Sequence, residues 1–462
     1  MALAMGACSN NDFGIDQQPA VANGKGIPFT ATISMDNSST RALTEDGTNI
    51  TATWAENEKV ALIHNDVVDK VTVASVTGGV ATITGSITGS PTNGDVVTVV
   101  YPYSAVDATS KDVKADVLAA QNGTLTGTNS IAENYDVRKG TGTLKVDGTA
   151  TLNGNVSLTN QNAIFKLTLR DIDDAADVSA TSVIISDQSG TVTTVTPASG
   201  YDKVMYVALP TTATTLKFLV TGSDSKKYFN MASGLSLSTK YYQSTIKLAT
   251  VGDVILSTGK CAKAGTSGAV AMIAYLGDGD DNTTYNSGLA IALADESSSF
   301  CAWAGTSESA GVSTSTTMTA HKAYLNGIAD TQTLITKYGD GYAASKAAAY
   351  SVAGFTPGDC GCSGWFLPSS GQWLKFFEAA GVNVAGWTDW DWAPGGTADW
   401  TKVNYLMNTA ASGSSVKADW YWSSSEHDDG YAVYVGFYSG GVYLTYENKG
   451  NAYCYVRSFL AF

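Results

Sequence analysis

From Pro28 to about Leu248 apolar and polar positions alternate with period two. The pattern runs through VALIHNDVVDKVTVASV, GDVVTVVYPYS, NAIFKLTLRD, ADVSATSVIISD, KVMYVALP and TLKFLVTGSD, with Gly, Asn, Asp and Pro between the runs. Successive side chains of a strand point to opposite faces, so this alternation predicts half-buried strands. Asn93-Gly94-Asp95 and Ser223-Asp224-Ser225 carry the residue types of hairpin turns. The spacing fits two successive antiparallel sandwiches of roughly a hundred residues each.

At about Thr250 the period changes. TTMTAHKAYLNGIADTQTLITKYG and GYAASKAAAYSVAGF carry helix signals, and LPSSGQWLKFFEAAG carries the clearest. There Ser369 and Gln372 form a capping-box pair, and Trp373, Phe376, Phe377 and Ala380 share one helix face. Gly381 is placed to end the helix. Beyond it, YAVYVGFYSGGVYLTY returns to period two, with Val433, Val435, Phe437, Val442 and Leu444 on one side. Short helices followed by terminal strands predict an α+β domain.

A chain of 462 residues exceeds one ordinary core, so two or three domains are expected. A net charge of −15 argues against a nucleic-acid partner, because the sequence shows no basic patch to neutralise phosphates. No stretch is long and apolar enough to span a bilayer as a helix. Of six cysteines, Cys360 and Cys362 have neither zinc-ribbon nor thioredoxin spacing. One or two disulfides in the second half suit an oxidising envelope, and their pairing is left open.

FTATISMDNSSTRALTEDGTNITATWAENEKVALI resembles the opening of fimbrillin-family proteins, the subunits of type V pili and related surface lipoproteins. NAIFKLTLRDIDD resembles the start of the second of that family's two transthyretin-like sandwiches. The resemblance implies a sandwich over 28–155 and a second over 156–248. MALAMGACSNND resembles the end of a lipoprotein signal, so 1–27 is expected to be a signal remnant and tether with Cys8 lipidated. The family also implies, in many members, assembly by donor-strand exchange and, in some, cleavage after an arginine, for which Arg41-Ala42 is the matching site. A bacterial cell-surface location follows, as an outer-membrane lipoprotein or at a pilus tip, with membrane contact only through the lipid.

CSGWFLPSSGQWLKFF, WYWSSSE and the terminal VRSFLAF are together similar to bacterial C-type-lectin-like domains, over 249–462. The likeness is to the variable proteins of diversity-generating retroelements, which mutate template adenines, usually within Asn codons. Such a codon yields Tyr, Asp, His, Gly, Cys, Ser, Thr or Ala, and also Phe, Val and Leu. It never yields Trp, Met, Gln, Glu or Lys. The resemblance therefore implies a variable ligand-binding face built from His427, Asp428, Asp429, Gly430, Tyr431, Tyr434, Gly436, Tyr438, Gly441, Tyr443, Thr445, Tyr446, Asn448, Gly450, Asn451, Ala452, Tyr453 and Cys454. Tyr434, Tyr438 and Tyr443 are the expected anchors, since tyrosine supplies rigid amphipathic area. Glu447 and Lys449 fall outside the reachable set and are assigned to fixed scaffold. Cys454 needs no partner on this account.

Catalytic chemistry is not expected. His64, His321 and His427 have no metal-binding or nucleophile-pairing spacing. Asp278, Asp280, Asp281 and Asn282 resemble a calcium loop but lack the glycine spacing and terminal Glu of an EF-hand, so no metal and no cofactor is expected. The C-type-lectin-like fold also houses formylglycine-generating enzymes, but Cys360 and Cys362 have no evident partner for that activity. The reading is thus a non-enzymatic adhesin presenting a hypervariable face to a protein or glycan on another cell, host or phage surface. The alternative is a structural or tip subunit of a type V pilus, with other pilus subunits as partners.

Overall fold

Phe29, Ala31, Ile33 and Met35 are buried in turn along the strand Ile27–Met35, while the residues between them are not. That strand pairs on both sides. It runs antiparallel to Val80–Ile87, from Ile27 opposite Ile87 to Ser34 opposite Val80. On its other side it runs parallel to Val156–Asn160, with Ile33 opposite Val156, and meets Thr149–Leu152 at Phe29 and Ala150. Arg138–Asp147, Val96–Tyr101, Lys59–His64 and Val67–Thr77 complete the circuit. The sheet therefore closes on itself, where two facing sheets were expected. Closure follows from Ile27–Met35 bonding both edges, which removes them.

The computed structural model describes residues 26–35, 44–46, 49–51, 53–173, 176–281, 284–296, 298–312, 315–387, 397–438 and 441–462. Cys8, Arg41, Ala42, Asn282 and the tether before residue 26 lie outside these. The protein is multidomain and mostly β. Two compact units alternate along the sequence: Met1–Thr44, Thr51–Val117 and Asp136–Asn160 form the first, and Glu45–Ile50, Leu118–Tyr135 and Gln161–Phe462 the second. Val156–Asn160 thus pairs within the first unit, and Ala120–Gln121 adds a parallel edge to Gly190–Val195 in the second.

The second unit begins with a two-sheet sandwich. Ala120–Gln121, Gly190–Val195, Ala180–Asp187, Leu216–Gly222 and Lys227–Ala232 form one sheet. Val204–Pro210, Asn162–Asp171 and Tyr241–Leu248 form the other. Leu167, Val183, Ile185, Val207, Phe218 and Val220 fill the space between them. Residues on the opposite face of the larger sheet are also buried: Leu219, Phe229 and Met231 pack with Ile255, Ile273, Trp365, Leu460 and Phe462. The Phe229 and Phe462 rings lie 4.3 Å apart.

From Val254 onward five short strands, ordered Cys261–Ala262, Val254–Leu256, Ala269–Leu276, Gly288–Ala292 and Phe459–Ala461, form one sheet. The last pairs Phe459 with Ile291, so the chain end returns to the start of this region. Helices Met318–Ala323, Gly327–Tyr338, Ala343–Ala349, Ser370–Ala379 and Thr397–Ala410 follow in sequence. Ser369 and Gln372 make both bonds of the capping box, and Gly381 takes the positive φ of +85° that ends such a helix. Trp373, Phe376 and Phe377 are fully buried, as the face pattern requires. Among the described residues no helix is long and apolar enough to cross a membrane.

Candidate functional site

Trp420–Glu426, Tyr431–Tyr438 and Gly441–Asn448 form a three-stranded antiparallel sheet. The period-two pattern places Tyr421, Val433, Val435, Phe437, Val442 and Leu444 on one face, against Trp373, Phe376 and Phe377. A second layer covers the other face. Trp422, Ala432 and Tyr434 pack there with Trp303, Leu334, Ala343 and Val456. Among the described residues the centre of this sheet is therefore covered on both sides, and exposed side chains lie toward the strand ends, in the turn 427–430 and in the loop 449–453.

The expected face divides accordingly. Asp429, Tyr431, Tyr438, Tyr446, Gly450, Ala452 and Tyr453 are exposed. His427, Asp428, Gly430, Tyr443, Thr445, Asn448 and Asn451 are half-buried. Tyr434, Gly436, Gly441 and Cys454 are buried. Of the three expected anchors, only Tyr438 is exposed, at 54%. Tyr434 is 8% exposed, lodged between Trp420 and Trp422 with ring centroids 5.7 and 6.2 Å away, and burial pushes its phenol far up. Tyr443 lies across Gly436, where any Cβ would meet its ring at 2.1 Å. Its hydroxyl accepts a 2.7 Å bond from the Trp420 indole.

The exposed aromatic cluster lies instead at the hairpin tip. His427 and Tyr446 stack with centroids 3.8 Å apart, and Tyr431 meets Tyr446 edge-on at 5.6 Å. Asp428 shapes the turn by accepting bonds from the Gly430 and Tyr431 N–H groups at 2.8 and 3.0 Å, and it lies 3.0 Å from His427 Nδ1. Burial pushes the Asp428 carboxyl up, but these bonds from Gly430, His427 and Tyr431 outweigh it and hold it below its ordinary range. His427, Asp428 and Asp429 line an open cavity of about 710 Å³ together with Ser315 and Thr316. Ser315 and Thr316 escape sequence reading because they arrive from a loop more than a hundred residues away.

Lys449 and Glu426 brace the tip from within. Both are fully buried, and the ammonium donates to the Glu426 carboxylate, to Glu308 O at 3.0 Å and to Asp429 O at 2.8 Å. Glu426 also accepts from the Ala310 N–H at 2.6 Å. The Lys449 carbonyl takes bonds from Trp303 and Ala304. Glu447 accepts from the Asn448 N–H and the Asn451 amide at 2.7 and 2.9 Å. The serines of WYWSSSE are internal too: Ser423 donates to Val433 O, Ser424 to Asp330, and Ser425 bonds Ser370. A register irregularity between Trp422 and Glu426 turns them inward.

Elsewhere, His64 is buried 3.0 Å from Asp95, and His321 is held between Ser370 and Ser315. Asp280, from the acidic loop, accepts a 2.7 Å bond from Gln372. Among the described residues no group of three or more His, Cys, Asp or Glu is placed to hold a metal ion.

No family model matches the chain, and no curated protein matches it. Among solved structures, it is similar to a fimbrial protein from Bacteroides ovatus at 16% identity and a TM-score of 0.33, over 95% of this chain and 99% of the other. A candidate cell adhesion protein from Bacteroides uniformis matches at 14% identity and 0.28, over 48% of this chain and 93% of its own. A shaft pilin from Lactobacillus rhamnosus matches at 9% and 0.23, over 49% of this chain and 99% of its own. With TM-scores well below one half, none of these three likenesses assigns this chain a fold or a function.

Proposed function

We propose that this chain is a cell-surface ligand-binding protein, in which a β-rich stalk over 28–248 carries a C-type-lectin-like domain over 249–462. The tip of that domain, diversified by a retroelement, binds a protein or glycan on another surface. The chain is anchored through Cys8 and has no catalytic role. One observation carries the reading. In the segment 427–454 the unreachable residues hold the loops, Lys449 from full burial against Glu426 and the half-buried Glu447 through its bonds from Asn448 and Asn451. Reachable types occupy the solvent side at Asp429, Tyr431, Tyr438, Tyr446 and Tyr453. Exposed tyrosines with adjustable polar neighbours are what selected binding surfaces use. Sequencing the 3′ end of the gene across isolates tests it. Substitutions should concentrate at these exposed codons and spare Glu447 and Lys449, beside a template repeat that differs only at adenines. An even spread of substitutions overturns the proposal.

A second reading is a pilus subunit, and the strand Ile27–Met35 favours it. It precedes Arg41 and bonds both Val80–Ile87 and Val156–Asn160. Its release after cleavage at Arg41 would leave a groove between those strands for a donor strand. Size-exclusion chromatography of the Arg41-cleaved protein separates the two readings, since a ladder of oligomers belongs only to the second.

A further inference from the structure

Three backbone bonds zip the chain's end onto the segment after Gly288–Ala292. Ala292 N–H donates to Ser458 O at 2.9 Å, Glu296 N–H to Val456 O at 3.0 Å, and Cys301 N–H to Cys454 O at 3.0 Å. The last contact makes Cys301 and Cys454 direct partners across an antiparallel bridge. Partners of this kind have Cα atoms about 4.5–5.5 Å apart with side chains on the same face. A disulfide spans Cα separations of about 4.4–6.8 Å. Both cysteines are buried in one apolar cluster with Trp303, Trp422 and Val456, at 6% and 0% exposure, and both are free thiols in the structure. The Cys301 carbonyl is fixed by a 2.9 Å bond from the Trp422 indole.

We propose that Cys301 and Cys454 are an oxidisable pair that closes to a disulfide, locking the end of the tip loop 449–454 to the wall of the domain. The oxidant is a disulfide-bearing thiol reagent or protein of the oxidising envelope. One thiolate attacks its sulfur to give a mixed disulfide, and the second displaces the remaining thiol. Two protons and two electrons leave the pair, and the oxidant becomes two thiols. Burial pushes the Cys301 thiol up to about 11 and the Cys454 thiol well above its ordinary value, so the exchange belongs to folding, before the cluster closes. The bond would encircle residues 301–454 and hold Tyr453 and Asn451 in place before any ligand arrives. Cys454 is then a fixed structural residue and no product of mutagenesis.

The full chain, refolded in a buffer of oxidised and reduced glutathione and then alkylated in denaturant, provides the test without reference to any ligand. A non-reduced digest should yield the Cys301 and Cys454 peptides joined and two hydrogens lighter than their sum. Reductant should lower the melting temperature of this oxidised protein by about 10 °C, given the size of the loop released. The Cys301→Ala/Cys454→Ala variant should lose that response. Recovery of Cys301 and Cys454 both alkylated, or either joined to Cys261, Cys360 or Cys362, overturns the proposal. So does a wild-type melt indifferent to reductant. If the double variant does not fold, the peptide map of the wild type decides alone.

Discussion

Lys449 sends a charged side chain into the protein's interior, and what it meets there explains the shape of the tip. Its ammonium bonds Glu426 and two carbonyls from different loops, so one side chain fixes the turn 427–430 against the loop 302–310. Removing one member leaves the other charged and unpaired. Lys449→Met should therefore cost about 3–5 kcal/mol in urea unfolding, while Glu426→Leu with Lys449→Met should recover much of that loss. The tyrosines sort by the same logic. Tyr434→Ala should cost about 3 kcal/mol or more because it hollows a layer between tryptophans. Tyr446→Ala at the exposed tip should change stability by less than about 1 kcal/mol and act on binding instead. Parallel denaturant titrations of the two variants distinguish an internal tyrosine from a surface one.

At the scale of elements, the helix Gly327–Tyr338 and the strand Trp420–Glu426 meet through a buried acid. Asp330 accepts bonds from Tyr324 and from Ser424 at 2.8 Å. Burial pushes its carboxyl up to about 7 despite those bonds, with nearby Asp280 and Glu426 adding to the rise. The folded state therefore keeps this proton over a range where the unfolded chain, with an ordinary carboxylate, has lost it. The contribution to stability is full below about pH 4, falls as pH rises toward 7, and then levels off. Asp330→Asn should remove that slope, so its stability relative to wild type should be better at pH 8 than at pH 4.5, read from melts at both. The helix Ser370–Ala379 offers a simpler check: Ser369→Ala should cost about 1 kcal/mol through loss of its cap bond.

At the scale of the whole molecule, the sandwich that ends at Leu248 and the region that begins at Val254 share a core. Phe229 and Ala249 exchange backbone bonds at 2.8 Å, and Phe229 packs on the last residue of the chain, Phe462. A fragment covering 249–462 would uncover Ile273, Leu460 and Phe462. It should bind a hydrophobic dye and melt below the full chain, and a fragment as stable as the full chain would contradict the shared core. Local features were legible in advance because local physics sets them. The strand alternation, the capping box at Ser369 and the buried face of Trp373, Phe376 and Phe377 each need only neighbouring residues. Lys449, which the retroelement resemblance assigns to fixed scaffold, is fully buried. What sequence could not convey was what covers each face. Period two distinguishes two sides of a strand but does not say whether the second side meets water, so Tyr434 and Gly436 looked exposed. Residues of 301–312 and 334–347 come from far along the chain to bury one of those sides. The closure of the first sheet by Ile27–Met35, the Cys301–Cys454 bridge and the cavity wall of Ser315 and Thr316 are likewise contacts between distant segments. By itself the sequence determined which residues could be strand, helix or cap. Only tertiary packing, which buries apolar area wherever it can be matched, decided which tyrosines remain exposed.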